Sequence, residues 1–209
     1  MGLAIVVFGV LAALIVLFSL FYRFIFLRDP VRTIPPGDTV VSPADGDIAA
    51  ILDVSEKDAV TIPKGRWGRI RAVCRDVPDA KKLILIVMNV WHVHVQRAPI
   101  RGRITRHAHK KGRFVNAVAD AASFITIENE RTETVFTSPQ LTVKTLQIAG
   151  VLARRIESFV KEGDRVMKGQ RFGRIVMGSQ VALIVPGKVK LRVREGDSVL
   201  AGETVVGEW

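Results

Sequence analysis

The hydrophobic pattern divides the chain into one unbroken apolar stretch and a longer region of short alternating runs. Residues 2–21, GLAIVVFGVLAALIVLFSLF, carry no charge and a single hydroxyl. A helix of this length would span about 30 Å, which matches the hydrocarbon core of a bilayer. The basic start and small-residue cleavage site of a removed signal peptide are not evident. The pattern therefore predicts a retained transmembrane helix, which we place at residues 1–22.

The residues after the apolar stretch indicate its orientation and the start of the folded domain. Arg23, Arg28 and Arg32 follow the stretch, and no Lys or Arg precedes it. By the positive-inside rule, the rest of the chain is predicted to lie on the cytoplasmic side of the cell membrane. Residues 23–38 include RDPVRTIPPGD, whose three prolines resist helix formation. We therefore predict a linker there and one folded domain at residues 39–209.

Beyond the linker, short runs rich in β-branched residues alternate with Gly, Pro and Asp turns. Examples are KLILIVMNVWHVHV, LTVKTLQIA and VKLRVRE. Such runs are typical of antiparallel strands, so the predicted fold class is mostly β, a flattened sandwich or barrel. The one helix predicted in this region lies at residues 114–123, FVNAVADAAS.

Two segments of the domain repeat one sequence frame. FVKEGDRVMKGQ (159–170) and RVREGDSVLAGE (192–203) share V-[KR]-E-G-D-x-V-x-x-G. Each copy predicts a strand, a Gly-Asp turn, a second strand and a second Gly turn. The frame resembles the half-repeats of lipoyl and biotinyl carrier domains, which bear an acceptor lysine on a hairpin tip. Here the tip reads Met177-Gly178-Ser179 without a lysine, which disfavours a carrier function.

Charge adds a preference for an anionic partner. The net charge is +11, and residues 97–113 hold seven Lys or Arg and no Asp or Glu. Aromatic residues are nearly absent from that run, so no nucleic-acid partner is predicted. A membrane-facing patch is favoured, with a solvated basic face as the alternative. The single cysteine, Cys74, cannot form an intramolecular disulfide.

Gly178-Ser179 is the only Gly-Ser dipeptide in the chain. A serine hydroxyl in a strained turn can attack the preceding carbonyl and convert the amide to an ester. Elimination from that ester cuts the chain and leaves dehydroalanine, whose hydrolysis gives a pyruvoyl group. An ordinary turn explains the same dipeptide, so this chemistry needs a base elsewhere in the chain.

Four histidines are candidates for that base. In VMNVWHVHVQ, strand alternation would place His92 and His94 on one face, about 7 Å apart. His107 and His109 lie in the basic run. No Cys, Asp or Glu with ligand-like spacing lies near His92 and His94, so no metal site is predicted.

A histidine base is usually oriented by a carboxylate. The string SPADGD supplies Asp45 and Asp47. Pro, Asp and Gly are also what a turn requires by itself, and spacing does not choose between the two carboxylates.

Seven strings occur in order over nearly the whole chain: FLRDPVRTIP, VVSPADGDI, NVWHVHVQRAPIRGRI, KKGRFVNA leading to ENER, LQIAGVLARRI, VKEGDRVMKGQRFGRI and MGSQV. Together they resemble the short, membrane-associated form of the phosphatidylserine decarboxylase family. The resemblance implies self-cleavage at Gly178-Ser179 into a β chain, residues 1–178, and an α chain, residues 179–209. Ser179 would become a covalent pyruvoyl group, the only cofactor expected.

The resemblance also assigns roles to individual residues. Asp45 and His94 would form a self-processing triad with Ser179, and His94 would carry the proton in the decarboxylation. The implied substrate is a membrane phospholipid with a serine headgroup, either phosphatidylserine, which would give phosphatidylethanolamine and CO2, or an archaeal ether lipid. We further expect Arg97 and Arg101 to hold the lipid phosphate.

The sequence leaves three points open. A homodimer is compatible with the sequence. A non-enzymatic, membrane-anchored adaptor or carrier with a lipoyl-like domain is the alternative function. Gln180 follows Ser179 at a position where the family shows Thr or a basic residue. This difference would change either the rate of self-cleavage or the binding of substrate.

Overall fold

The structure, a computed structural model, describes residues 2–55, 59–64, 68–111, 113–115, 126–128, 130–149, 155–176 and 179–209. Helix α1 covers Gly2–Phe21 and continues into a π-helical turn at Tyr22–Phe26. The described strands are β1 (Thr39–Val41), β2 (Gly46–Asp53), β3 (Ala59–Lys64), β4 (Gly68–Val73), β5 (Ala80–Met88), β6 (Val95–Arg97), β7 (Gly102–Lys110), β8 (Arg113–Val115), β9 (Thr126–Glu128), β10 (Arg131–Thr137), β11 (Thr142–Ile148), β12 (Arg155–Ser158), β13 (Arg165–Val166), β14 (Arg171–Val176), β15 (Ser179–Pro186), β16 (Lys190–Leu191), β17 (Ser198–Val199) and β18 (Val205–Glu208). The predicted mostly β fold with an apolar N-terminal helix is confirmed.

The N-terminal helix is apolar on every side and projects from the domain. Among the described residues, Ala4–Phe26 is the one helix long and apolar enough to cross a membrane. Its described large side chains from Ile5 to Leu20 are about half exposed or more, for example 65% at Ile5 and 49% at Leu20, whereas Phe21 is half-buried. A helix that is hydrophobic all round needs an apolar environment, and the domain does not supply one. The helix is therefore consistent with membrane association.

A curled sheet of eight strands forms the centre of the domain, in the order β13-β7-β10-β11-β15-β5-β2-β17. Strand β15 lies between β11 and β5 and is antiparallel to both. Alternate residues of β15 enter two cores, because Leu183 faces a large cluster that includes Phe136 and Phe172, whereas Ile184 faces a smaller one. Since both faces are covered, the strand is a continuous apolar run.

The repeated sequence frame is also a repeated structure. The glycine of each Gly-Asp turn has a positive φ, 94° at Gly163 and 89° at Gly196, which a glycine adopts without steric cost. Gly163 donates its N–H to the Ile104 carbonyl and Gly196 donates to the Ile48 carbonyl, both at 2.8 Å. Two three-stranded sheets of matching layout, β6-β14-β12 and β1-β18-β16, complete the two halves. The predicted half-repeats are thus present in the fold.

The juxtamembrane segment, residues 27–38, has no regular secondary structure and packs on the domain. Its Ile34 side chain lies over Gly169 and Gly202, the second glycine of each repeat. An added Cβ would collide with Ile34 at Gly169, and would crowd Arg97 and Ile34 at Gly202, at 2.9 and 3.1 Å. The prolines of residues 28–38 correctly predicted that this segment is not helical, but residues 23–26 of the predicted linker continue the N-terminal helix as its π-helical turn. The helix predicted at residues 114–123 was wrong at residues 114–115, which pair as β8 with β9. The remainder, residues 116–123, lies outside the described residues.

Candidate active site

His94 lies on the loop that joins β5 to β6. Asn89 ends β5 because its side-chain oxygen accepts the Trp91 N–H at 2.9 Å, and its carbonyl accepts the His92 N–H at 3.2 Å. His92 in turn accepts the Asn89 N–H on Nδ1 at 3.1 Å. The prediction that His92 and His94 share a strand face was therefore wrong, since the turn at Asn89 interrupts the strand before either histidine.

The geometry of His94 is that of a neutral base. The side chain is fully buried, and its Nδ1 lies 2.8 Å from the His92 carbonyl oxygen. A carbonyl only accepts hydrogen bonds, so Nδ1 carries the proton and Nε2 holds the lone pair. Nε2 is buried and has no hydrogen-bond partner among the described residues. Burial lowers the pKa of His94 to about 4, against the opposing effects of the His92 carbonyl and the charge of Asp45.

The other histidines are engaged structurally. His107 lies between the hydroxyls of Thr134 and Ser158, at 3.1 and 3.0 Å. His109 contacts the Thr132 hydroxyl at 2.9 Å. Within the part of the chain that the structure describes, His94 is thus the histidine with a buried and free ring nitrogen.

The end of the N-terminal helix covers His94. The Phe26 ring lies 4.1 Å from the imidazole, centroid to centroid, and Phe26 is 1% exposed. Phe21 packs edge-on against Trp91 at 5.3 Å, and Arg28 donates to the Trp91 carbonyl at 2.5 Å. The helix therefore ends directly on the loop that carries His94.

Ser179 is the first residue of β15 and stands opposite Met88, the last residue of β5. The backbone of Ser179 is thereby placed at the start of the His94 loop. Met177, Gly178 and the Ser179 side chain lie outside the described residues, so the predicted scissile bond is located through the Ser179 backbone alone. The sequence prediction of cleavage at Gly178-Ser179 stays a prediction.

Two buried glutamines connect the Ser179 strand pair with His94. Gln96 Nε2 lies 2.9 Å from the His94 carbonyl oxygen and 3.8 Å from Met88 Sδ. Gln147 donates to Gln96 Oε1 at 2.9 Å, and both glutamines are fully buried. Sequence analysis did not identify this pair. The signal was a glutamine inside each of two apolar runs, because a polar residue at a core position needs a partner.

The structure distinguishes the two candidate carboxylates. Asp45 is 2% exposed and accepts two hydrogen bonds from Arg32 Nη2, at 2.9 and 2.8 Å, and one from the Ala201 N–H at 2.8 Å. Asp47 is exposed and accepts the Ser198 hydroxyl at 2.6 Å. Asp45 makes no described hydrogen bond to His94, whose Nδ1 is oriented by the His92 carbonyl. The influence of Asp45 on His94 is through its charge.

Arg32 attaches the juxtamembrane segment to this carboxylate. Its Nη1 donates to Glu203 Oε2 at 3.1 Å, and the neighbouring Thr33 N–H donates to Glu203 Oε1 at 2.7 Å. The Thr33 N–H and then Arg32 hold the pKa of Glu203 below its usual range. The segment from Phe26 to Thr33 therefore contacts both His94 and Asp45, which sequence analysis did not anticipate.

The two arginines expected to hold a phosphate lie in different surroundings. Arg97 is 8% exposed and donates to Asp29 at 2.8 Å, to the Gly169 carbonyl at 3.0 Å and to the Pro30 carbonyl at 3.1 Å. A phosphate would have to displace Asp29 to reach it. Arg101 is exposed and lines a cavity of about 470 Å³ that Arg97 does not line.

Comparison with known proteins gives the family. The family "Phosphatidylserine decarboxylase" matches residues 17–207 of the chain. A phosphatidylserine decarboxylase proenzyme of Xanthobacter autotrophicus is 37% identical over 214 residues, which cover 98% of this chain and 81% of the relative. The corresponding proenzyme of Azorhizobium caulinodans is 40% identical over 186 residues, covering 88% and 72%. The resemblance carried by the seven strings is confirmed, and the chain belongs to the phosphatidylserine decarboxylase family.

Proposed function

We propose that the protein is a self-processing, pyruvoyl-dependent enzyme that decarboxylates a serine-headgroup phospholipid, converting phosphatidylserine to phosphatidylethanolamine and CO2. The observation that carries the proposal is His94, a buried neutral imidazole with a free Nε2, on the loop that starts opposite Ser179. Family membership supports the reaction class. The names of both relatives, as proenzymes, support a cleaved active form.

In the proposed maturation, His94 Nε2 takes the proton of the Ser179 hydroxyl as its oxygen attacks the Gly178 carbonyl. The backbone amide becomes an ester, and elimination from that ester releases the carboxyl end of Gly178. Water then replaces the nitrogen of the resulting dehydroalanine as ammonia, which leaves the pyruvoyl carbonyl. With its pKa lowered to about 4, His94 is neutral at pH 7, so its Nε2 lone pair is not already occupied by a proton.

The residues present fit such a group at position 179, because a buried ring nitrogen without a described partner lies on the adjoining loop. The pyruvoyl group supplies an electrophilic carbonyl that accepts the electrons of the breaking bond to the carboxylate. His94 then holds the proton that is returned to the substrate carbon. Phe26 excludes water from one face of the imidazole.

Asp45 completes the proposed triad through charge and without a hydrogen bond to His94. When His94 becomes an imidazolium, the buried carboxylate stabilises its positive charge. Arg32 pairs with the same carboxylate and so moderates that effect. For the lipid phosphate, Arg101 is the better placed of the two arginines, because it is exposed and has no ion-pair partner among the described residues.

The strand order supports a cleaved form in which the two chains stay together. The α chain, residues 179–209, supplies β15 at the centre of the main sheet and three further strands, β16, β17 and β18. Strands β17 and β18 pair with β2 and β1 of the β chain. In this proposal residues 1–22 anchor the protein in the membrane, and residues 39–209 form the decarboxylase domain on the cytoplasmic side. Residues 23–38 link the anchor to the domain.

The experiment compares wild-type protein with Ser179→Ala, His94→Ala and the matched control His92→Ala. Purified proteins are incubated with phosphatidylserine in mixed micelles, CO2 is measured, and the chains are weighed by denaturing mass spectrometry. We expect two chains and CO2 from wild type and His92→Ala, and one uncut, inactive chain from the other two. Active wild-type protein that consists only of the uncut chain would refute the proposal. A membrane-anchored adaptor would be indifferent to Ser179→Ala.

A further inference from the structure

An exposed apolar patch lies beside the end of α1, on the loop that carries His94. Trp91 is 60% exposed, Val90 is 41% exposed, and Phe24 on the neighbouring helical turn is 66% exposed. The Trp91 ring packs edge-on against Phe21, so the patch continues the apolar surface of the helix. Residues 83–95 contain no Asp, Glu, Lys or Arg, so no such charge on this stretch opposes contact with a bilayer.

The position of Phe21 on the helix sets the depth of Trp91. The apolar span is Ala4–Phe26, and Phe21 precedes its end by five residues. At no more than about 1.5 Å per residue, Phe21 lies at most about 7.5 Å inside that end. If the helix crosses a bilayer, the contact at 5.3 Å requires the Trp91 ring to lie near the same depth. Phe26, at the end of the span, contacts His94 and so places it at the boundary of the hydrocarbon.

We propose that residues 89–92 form a second membrane contact, in which Val90 and Trp91 insert into a phospholipid bilayer and hold His94 at headgroup depth. Tryptophan suits this position because its apolar ring and its N–H match the two sides of the interface. Arg28, which donates to the Ile25 and Trp91 carbonyls, fixes a positive charge at the same level, where anionic headgroups attract it. The inference rests on the transmembrane part of the proposed function.

This contact gives the lipid headgroup a short path to the site. With His94 at the boundary, a serine headgroup meets the imidazole while its acyl chains stay in the bilayer. The loop then determines how bilayer substrate is presented, whereas substrate that is soluble as a monomer does not depend on it.

The first experiment measures the depth of Trp91. The variant Trp67→Phe/Trp209→Phe keeps Trp91 as its one tryptophan, and the matched variant Trp67→Phe/Trp91→Phe keeps Trp209. Each is reconstituted in phosphatidylcholine–phosphatidylglycerol vesicles with bromine either near the headgroup end or near the middle of the acyl chains. We expect bromine near the headgroup end to quench Trp91 most strongly, iodide in the buffer to quench it weakly, and Trp209 to respond little to brominated lipid. Trp91 that is quenched freely by iodide and unaffected by brominated lipid, or Trp209 quenched as strongly by lipid as Trp91, would overturn the proposal.

The second experiment tests the consequence for substrate presentation. Trp91→Asp is compared with the conservative Trp91→Phe on phosphatidylserine in vesicles and on a short-chain phosphatidylserine below its micellar concentration. For Trp91→Asp we expect kcat/KM on vesicles to fall on the order of tenfold, which is the scale of losing one buried aromatic side chain, with activity on the short-chain lipid retained. Equal losses on both substrates, or no loss on vesicles, would contradict the membrane contact. The quenching experiment needs no catalysis, so failure of the proposed function is distinguishable from failure of this inference.

Discussion

Replacing Arg32 with alanine should destabilise the domain strongly, because it leaves a buried carboxylate without its cation. The Arg32 and Asp45 side chains are 7% and 3% exposed, and two hydrogen bonds of 2.9 and 2.8 Å join them. After the substitution Asp45 keeps the Ala201 N–H as its described partner. Breaking a buried pair from one side costs about 3–5 kcal/mol. At roughly 2–4 °C per kcal/mol for a chain of this size, the melting temperature should fall by roughly 6–20 °C.

The assay is thermal unfolding followed by tryptophan fluorescence in one detergent. All variants carry Ser179→Ala, so that only uncut chain is compared. Arg192→Ala is the matched control, because Arg192 also pairs with a carboxylate, Glu208 at 2.7 Å, but the two side chains are 58% and 44% exposed. An exposed pair contributes about 0–1 kcal/mol, so this variant should melt close to the parent. Arg32→Lys should fall between the two, since lysine keeps the charge and loses the paired hydrogen bonds.

A second substitution tests the cause of the loss. If the unpaired charge of Asp45 is responsible, Arg32→Ala/Asp45→Asn should melt above Arg32→Ala alone, because the asparagine is neutral. Melting of Arg32→Ala within a degree or two of Arg192→Ala would refute the argument that the buried pair stabilises the docked segment. If Arg32→Ala/Asp45→Asn melts no higher than Arg32→Ala, the unpaired charge of Asp45 is not the cause of the loss.

Two further predictions concern pH and the docked segment. Folding lowers the pKa of His94 from 6.5 to about 4, so the unfolded chain binds more protons than the folded chain between these two pH values. The shift corresponds to about 3 kcal/mol of folding stability. This stability is fully present above pH 6.5 and is lost as the pH falls towards 4. Denaturant unfolding between pH 7 and 4 should show this slope in Ser179→Ala and a shallower one in Ser179→Ala/His94→Gln, and identical slopes would contradict it. Gly169→Ala should destabilise more than Gly196→Ala in the same thermal assay, because both residues have positive φ, 77° and 89°, but only Gly169 faces Ile34, whereas the space beside Gly196 is open. Equal melting temperatures would show that Ile34 does not pack against Gly169 in solution.

Local sequence patterns predicted the parts of the fold that depend on local physics. An uncharged apolar run of twenty residues predicts a helix, and the structure has one at Gly2–Phe21. The Gly-Asp turns need glycine because their φ is positive, so the repeated glycines revealed the two half-repeats. The prediction failed where a single side chain overrides the pattern. Asn89 ends β5 by accepting a backbone N–H, although the apolar alternation continues through His94.

The contacts of the juxtamembrane segment show what the sequence cannot supply by itself. Asp45 and Asp47 are two residues apart in a turn, and their burial differs because Arg32 and Ala201 close over the first. Ala201 is 156 residues from Asp45, and Glu203 is 171 residues from Arg32. Proline content correctly excluded a helix from this segment, but its docking depends on partners that only the folded chain brings together.

The placement of β15 connects the proposed cleavage with the persistence of the fold. Strand β15 pairs with β5 from Ser179 onwards and with β11 from Gln180 onwards, so the proposed cut falls at the very start of a strand held on both sides. A cut at that point removes no pairing from β15, because every β15 residue that pairs with β5 or β11 lies at or after Ser179. The new chain end would stand at the beginning of the His94 loop, whose other side is closed by Phe26 at the end of the N-terminal helix. In the proposed function, the cut, the base and the approach from a bilayer thus meet at one edge of the sheet. The buried strand that would hold the two chains together runs away from that edge into the core.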